Sequence, residues 1–218
     1  MIEKMDEFFA ARAEGYDEHM LTEVEGCKEG YEKMAELLPV GAESLLDLGC
    51  GTGLELERIF ERFPEMSVLG IDMTAEMLEL CRKKFAGRRL SLICGDYFKT
   101  DFGVNRFDAA VSFQTMHHFG KDVKEGLYRR VWESLKSGGA YIECDYMVES
   151  QAEEERWFAE NERLRRELNI PDGEFYHYDT PCTVENQLKL LKSAGFVQTE
   201  KVFRMENTTI IIGYKEKI

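Results

Sequence analysis

The chain has little of what membrane, zinc-binding or secreted proteins require. Its 218 residues contain no apolar run approaching the roughly 18 residues that a membrane-spanning helix needs. The six cysteines form no CxxC pair, so the sequence predicts no metal site. The first residues include neither the basic nor the apolar segment of a signal peptide, and we therefore expect a cytoplasmic protein with reduced thiols.

Basic residues are also scarce, with 28 Lys and Arg against 42 Asp and Glu and a net charge of -14. A protein that binds nucleic acid must neutralise phosphates, so this charge disfavours DNA or RNA as a partner. Because no apolar run is long enough to span a bilayer, a membrane partner is disfavoured as well. A small molecule or a protein stays open as the partner. The oligomeric state is also open, a homodimer included.

Apolar residues make up 44% of the chain, which is enough for one core. From residue 44 onward, short apolar runs alternate with amphipathic stripes, and this alternation predicts a parallel sheet with helices on both faces. A closing hairpin adds an antiparallel strand. Gly138 and Gly139 are expected to close the helix before the fifth strand. The predicted strands are 44–48, 67–71, 90–94, 107–113, 140–147, 197–204 and 208–214.

The predicted organisation has two parts. Residues 1–40 form an N-terminal helical cap, because apolar side chains recur there at helical spacing before Pro39 and Gly41. Residues 41–218 form the α/β domain. A densely charged segment within that domain predicts a lid-like helical insertion at about 149–180.

The segment after the first predicted strand is the most informative of the chain. It carries Gly49, Gly51 and Gly53, and a predicted helix follows at once. Glycines at such a turn let a ligand approach the bare main chain. A dinucleotide fingerprint, GxGxxG, would have its third glycine at position 54, where Leu54 stands. Asp47 would also repel a pyrophosphate at this helix N-terminus, so the loop favours a cationic ligand.

Three motifs together resemble those of the class I S-adenosylmethionine-dependent methyltransferases, of the type that acts on small molecules. The motifs are Asp47-x-Gly49-x-Gly51-x-Gly53, then Gly70-Ile71-Asp72-Met73-Thr74-Ala75-Glu76-Met77-Leu78, and then Gly95-Asp96-Tyr97. The resemblance implies a doubly wound, Rossmann-like fold with a seven-stranded, mostly parallel sheet whose last strand is antiparallel. It also implies methyltransferase activity with S-adenosyl-L-methionine as the cofactor.

The resemblance further implies which residues hold the cofactor. Gly49 and Gly51 contact its methionine part through the backbone, above the Asp47 carboxylate. Asp72 accepts both ribose hydroxyls, because a carboxylate has two acceptor oxygens, and Asp96 takes the adenine amino group. Met73 and Tyr97 flank the ring, and the end of the fourth strand supplies a backbone carbonyl. The full expected set is Asp47, Gly49, Gly51, Gly53, Asp72, Met73, Asp96, Tyr97, Phe113 and Gln114.

Methyl transfer from a sulfonium is a direct displacement with a neutral leaving group, so alignment supplies much of the catalysis. An acceptor that must lose a proton favours a nearby histidine. His117 and His118 follow the fourth predicted strand and are the catalytic candidates. Because neighbouring side chains point apart, we expect at least one to face the acceptor. Tyr16, Tyr146 and His177 are candidates for substrate contact, and packing alone is the alternative for all five.

Two functions other than methyl transfer stay open. A protein that binds S-adenosylmethionine as a sensor or scaffold, without methyl transfer, would carry the same motifs. A nicotinamide-dependent oxidoreductase would share only the layered architecture.

Overall fold

One seven-stranded sheet forms the centre of the computed structural model, which describes residues 2–217. Its strands are β1 (Ser44–Leu48), β2 (Ser67–Asp72), β3 (Leu90–Cys94), β4 (Phe107–Phe113), β5 (Leu135–Tyr146), β6 (Val197–Met205) and β7 (Thr208–Tyr214). Their order across the sheet is β3-β2-β1-β4-β5-β7-β6. β7 pairs antiparallel with both β5 and β6, and the pairs from β3 to β5 are parallel. The expected doubly wound, Rossmann-like fold is confirmed.

Helices cover both faces of the sheet. They are α1 (Met5–Ala10), α2 (Tyr16–Thr22), α3 (Cys27–Leu37), α4 (Leu54–Arg62), α5 (Ala75–Lys84), α6 (Lys121–Ser134), α7 (Gln151–Glu167) and α8 (Val184–Ala194). Successive residues of a strand face opposite sides, so Leu45 packs in the core beneath α3 and α4, and Leu46 packs beneath α6 and α8. No helix within residues 2–217 is both long and apolar enough to cross a membrane.

The fifth strand differs from its predicted bounds. We expected it to begin at residue 140, after two glycines that close a helix. Instead α6 ends at Ser134 and β5 begins at Leu135. The pairing register with β4 shifts after Phe107, and Gly138 has a φ of 76°. The glycines therefore lie within an irregular strand, where a residue with positive φ is tolerated, and not at a helix end.

The N-terminal segment lies over the carboxyl ends of the strands. The backbone N–H of Met5 donates to Phe175 O at 3.1 Å, and the N–H of His177 donates to Glu3 O at 3.0 Å. These bonds join the segment to the loop between α7 and α8. The division of the chain into a cap and an α/β domain stays a prediction.

Candidate active site

The loop between β1 and α4 has the backbone that its glycines predict. Gly49, Gly51 and Gly53 have φ values of 72°, 47° and 77°, a region that side chains rarely adopt. A Cβ on Gly53 would lie 2.6 Å from Cε2 of Phe85, whereas a Cβ on Gly51 would meet no described atom within 4 Å. The main chain at Gly51 is therefore accessible to a ligand, and Gly53 is required by packing.

Asp72 joins this loop to the end of β2. Its Oδ2 accepts a hydrogen bond from the N–H of Gly51 at 2.9 Å, and its Oδ1 accepts one from the N–H of Thr74 at 2.8 Å. A carboxylate has about four lone-pair positions, so both oxygens keep the capacity to accept from a ligand.

A small cavity of about 40 Å³ lies beside Asp72. It gathers five of the expected cofactor residues, Gly49, Asp72, Met73, Asp96 and Tyr97. Side chains of the N-terminal segment and of the α7–α8 loop cover it, namely Met5, Phe9 and Phe175. The volume is room for a few water molecules, so a nucleoside needs these covering side chains to move.

Asp47 is fully buried beneath the glycine loop. Within residues 2–217, neither of its carboxylate oxygens has a hydrogen-bond donor. Burial, and then the neighbouring Glu55 carboxyl, raise the pKa of Asp47 well above its usual value. Burial likewise raises the pKa of Glu55 to about 7. Two neighbouring buried carboxyls do not both ionise easily, and a cationic group beside them would favour their ionised forms.

No local sequence pattern distinguishes Glu55 as a site residue. Acidic residues are common in the first turn of a helix, where they interact with the helix dipole, and Glu55 occupies that position in α4. Its burial, with 4% exposed, is what distinguishes it from an ordinary helix-start glutamate.

A second, larger cavity of about 1040 Å³ opens beyond the ends of β4 and β5. All five catalytic and substrate candidates line it, namely Tyr16, His117, His118, Tyr146 and His177. Gln114 lines it as well, and its side-chain amide donates to Thr208 Oγ1 at 3.2 Å. Phe113 lines neither of these two cavities, and its ring stacks on Tyr31 with centroids 3.9 Å apart.

His117 and His118 do not point apart as expected. They lie in a 3₁₀ turn, Met116–His118, and their ring centroids are 4.0 Å apart. His117 Nδ1 is 2.6 Å from Asp145 Oδ1. His117 Nε2 and His118 Nδ1 lie 3.6 and 3.4 Å from the same oxygen, Asp179 Oδ1. Both rings therefore face one carboxylate at the cavity wall.

The pKa values of the three histidines that line this cavity, His117, His118 and His177, shift in different directions. Burial lowers the pKa of His117, but Asp145 and then Asp179 outweigh burial and raise that pKa above its usual value. Burial and then His117 lower the pKa of His118. Burial and then His118 lower the pKa of His177 to about 4. A single proton on this cluster therefore favours His117.

The chain is similar to known methyltransferases over the segment that forms this site. Residues 45–139 match the sequence model of a family described as a methyltransferase domain. Over 98% of its length, the chain is 23% identical to a carboxy-S-adenosyl-L-methionine synthase of Nautilia profundicola, and the match covers 96% of that protein. Together with the shared fold, these matches support a class I S-adenosylmethionine-dependent methyltransferase. The family and cofactor that the three motifs predicted are confirmed.

Two further proteins that the chain resembles are longer than it is. A solved structure from Nostoc punctiforme, described as an O-methyltransferase, superposes with a TM-score of 0.73 at 19% identity. That match covers 98% of this chain and 62% of the other. A sterol 24-C-methyltransferase of Debaryomyces hansenii is 28% identical over 70% of this chain, which spans 39% of that protein. The structural likeness establishes the methyltransferase fold.

Proposed function

We propose that this methyltransferase transfers the methyl group of S-adenosylmethionine to a small molecule held in the large cavity, with His117 receiving the acceptor's proton. The observation that carries this proposal is the His117–Asp145 pair. His117 lines the large cavity, together with Gln114 of the expected cofactor set, and Asp145 is buried behind it.

The residues around the glycine loop fit the cofactor. Asp47 offers buried carboxylate oxygens that have no donor within residues 2–217, and the ammonium group of the methionine part is a donor of matching charge. Asp72 can accept the ribose hydroxyls with its remaining lone pairs. Gly51 leaves its main chain open to the approach of the ligand.

The Asp145 carboxylate determines which nitrogen of His117 is free to act. It holds Nδ1 at 2.6 Å, so Nε2 is the nitrogen on the Asp179 side of the ring. A carboxylate that orients an imidazole in this way prepares the opposite nitrogen to accept a proton, as in hydrolase triads.

The reaction then balances without a further reactant. The acceptor's lone pair forms a bond to the methyl carbon while the carbon–sulfur bond breaks and its electron pair stays on sulfur, giving neutral S-adenosylhomocysteine. The proton of the acceptor passes to His117 Nε2. Alignment of the acceptor, methyl and sulfur supplies much of the rate, and proton removal contributes about 10²- to 10⁴-fold.

The cavity supports a small acceptor that is not strongly anionic. Its volume of about 1040 Å³ is at the upper end of the range, about 300–1,000 Å³, that ligand pockets span. Its rim carries Glu23, Glu25 and Glu206, whereas Arg12 is its one lysine or arginine among the described residues. Such a lining opposes a polyanion by like-charge repulsion.

The test is turnover with methyl-labelled S-adenosylmethionine and fractionated small-molecule extracts. We expect S-adenosylhomocysteine and one labelled product, with His117→Gln lowering turnover by about 10²- to 10⁴-fold at unchanged cofactor affinity. His19→Gln is the matched control, because His19 is exposed at the cavity rim and pairs with Glu23 at 3.2 Å. Full turnover by His117→Gln would refute the role of His117. If the label stays on a carboxylated form of the cofactor and no acceptor becomes methylated, the transfer reaction is refuted.

A further inference from the structure

His117, His118 and Asp179, which line one wall of the large cavity, have the features of a metal site. We propose that His117, His118 and Asp179 bind a divalent transition metal, with zinc as the representative ion, through His117 Nε2, His118 Nδ1 and a carboxylate oxygen of Asp179. The role of this metal in holding the acceptor rests on the proposed function, whereas the binding of the metal does not.

The three ligand atoms are already close to the spacing that zinc requires. Tetrahedral zinc with bonds of about 2.0–2.1 Å separates neighbouring ligand atoms by about 3.4 Å. Asp179 Oδ1 lies 3.6 Å from His117 Nε2 and 3.4 Å from His118 Nδ1. All three ligand atoms lie within 4.8 Å of one another. Small side-chain rotations would therefore complete the site.

Asp145 supports the site from behind. Histidines that bind metals usually donate their other ring nitrogen to a carboxylate or carbonyl, which fixes the orientation of the ring. Asp145 Oδ1 makes this contact with His117 Nδ1 at 2.6 Å. Its side chain is 3% exposed, so the contact is shielded from water.

His118 supplies an independent observation. Its side chain is 3% exposed, and within residues 2–217 its Nδ1 has no hydrogen-bond partner of good geometry. A buried polar atom without a partner costs free energy unless a ligand satisfies it. The same nitrogen points at the Asp179 oxygen across 3.4 Å, where a bound cation would lie between them.

The donor set and the charge favour a transition metal. Two imidazoles and one carboxylate are the ligands that zinc and ferrous iron accept, whereas calcium and magnesium prefer oxygen ligands. Asp145 and Asp179 supply two negative charges, which a divalent cation balances. Three protein ligands leave a coordination position open toward the cavity, as in catalytic zinc sites.

An acceptor heteroatom that binds at the open position would lose its proton more easily, because a metal lowers the pKa of a bound hydroxyl or thiol. That proton then leaves to water. In the loaded protein the metal takes the place on His117 Nε2 that a proton takes in the metal-free protein. The metal thus selects acceptors that can chelate or coordinate through oxygen, sulfur or nitrogen.

The experiment is calorimetric titration of the chelator-treated full chain with zinc chloride, followed by cobalt(II) substitution to read the coordination geometry by visible absorption. We expect one zinc ion per chain with micromolar or tighter affinity and the absorption of a tetrahedral cobalt site. Asp179→Ala should weaken zinc binding by more than about 100-fold. Asp145→Asn should weaken it by about 10- to 100-fold, and His19→Gln should leave it unchanged.

Binding of S-adenosylhomocysteine to each variant shows whether the chain remains folded. No zinc binding by the folded wild-type chain would overturn the proposal. Zinc binding that Asp179→Ala leaves unchanged would also overturn it. Methyl transfer without bound metal would sustain the proposed function and refute only the metal's role in it. Zinc binding without methyl transfer would sustain the metal site and refute the proposed function.

Discussion

Asp72 Oδ2 accepts a hydrogen bond from the backbone N–H of Gly51 at 2.9 Å, and this bond joins the end of β2 to the loop after β1. The relationship places a carboxylate against the main chain of the half-buried Gly51, where the ribose and the methionine part of the cofactor would meet. We therefore expect Asp72→Ala to weaken S-adenosylhomocysteine binding by about 1.5–3 kcal/mol, because charged hydrogen bonds to the ribose are lost. Calorimetric titration measures this change.

Asp101→Ala is the control for Asp72. Its carboxylate accepts a bond from Gly103 within its own exposed loop at 2.9 Å, away from both cavities. The affinity of this variant should equal that of the wild type. An unchanged affinity in Asp72→Ala would contradict the ribose role.

Two glycines of the same loop should respond differently to alanine. Gly53→Ala places a Cβ 2.6 Å from the Phe85 ring at a φ of 77°, and we expect a loss of about 2–3 kcal/mol in the free energy of unfolding. Gly51→Ala meets no described atom within 4 Å and should cost about 1–2 kcal/mol, the penalty of its positive φ. Gly51→Ala should nevertheless weaken cofactor binding more. Urea unfolding and calorimetry together check this order, and the reverse order in either measurement would contradict it.

Glu55 should make the stability fall as the pH rises. Its pKa is about 7 in the folded chain against an ordinary value of 4.5, so between these values the folded chain binds more protons than the unfolded chain. Stability is then greatest below about pH 4.5 and is lost as the pH rises to about 7, by up to about 3 kcal/mol. Glu55→Gln should remove most of this fall. Urea unfolding at intervals across this range compares the two chains, and equal slopes would show that Glu55 titrates normally.

The pH dependence of turnover should report on the His117–Asp145 pair. His117 Nε2 must be unprotonated to receive a proton, so in the presence of a chelator kcat/KM should rise with pH through the raised pKa of His117. Asp145→Asn removes the carboxylate that contributes most to raising this pKa, and the rise should move to lower pH while the maximum rate falls. A pH profile that Asp145→Asn leaves in place would mean that another group controls it.

Much of the fold was predictable from the sequence because strands buried on both faces are continuous apolar runs. β1 and β4 are buried along most of their length and have the predicted bounds, and the more exposed edge strand β3 has them as well. β5 begins five residues before its predicted start. Gly138 is typical of a helix end, but here it lies in a strand whose register shifts. A glycine pair alone does not distinguish these two structures.

The candidate site was predictable where short motifs encode it. The glycine loop, Asp72 and Asp96 lie within motifs, and the structure brings Gly49, Asp72 and Asp96 to one cavity. Asp145 and Asp179 belong to other segments, so no local spacing links them to His117. Burial of Glu55 beside Asp47 is likewise a tertiary property. The proposed metal site is not visible in the local sequence either, because Asp179 belongs to a different segment from His117 and His118.

A crystal structure with S-adenosylhomocysteine would test the central claim most directly. We expect the ribose hydroxyls on the Asp72 carboxylate, the ammonium group next to Asp47, and the sulfur facing the large cavity on the side of His117. Met5 and Phe9 should then have moved from the small cavity. A ligand bound away from the glycine loop, or a sulfur turned from His117, would contradict the account.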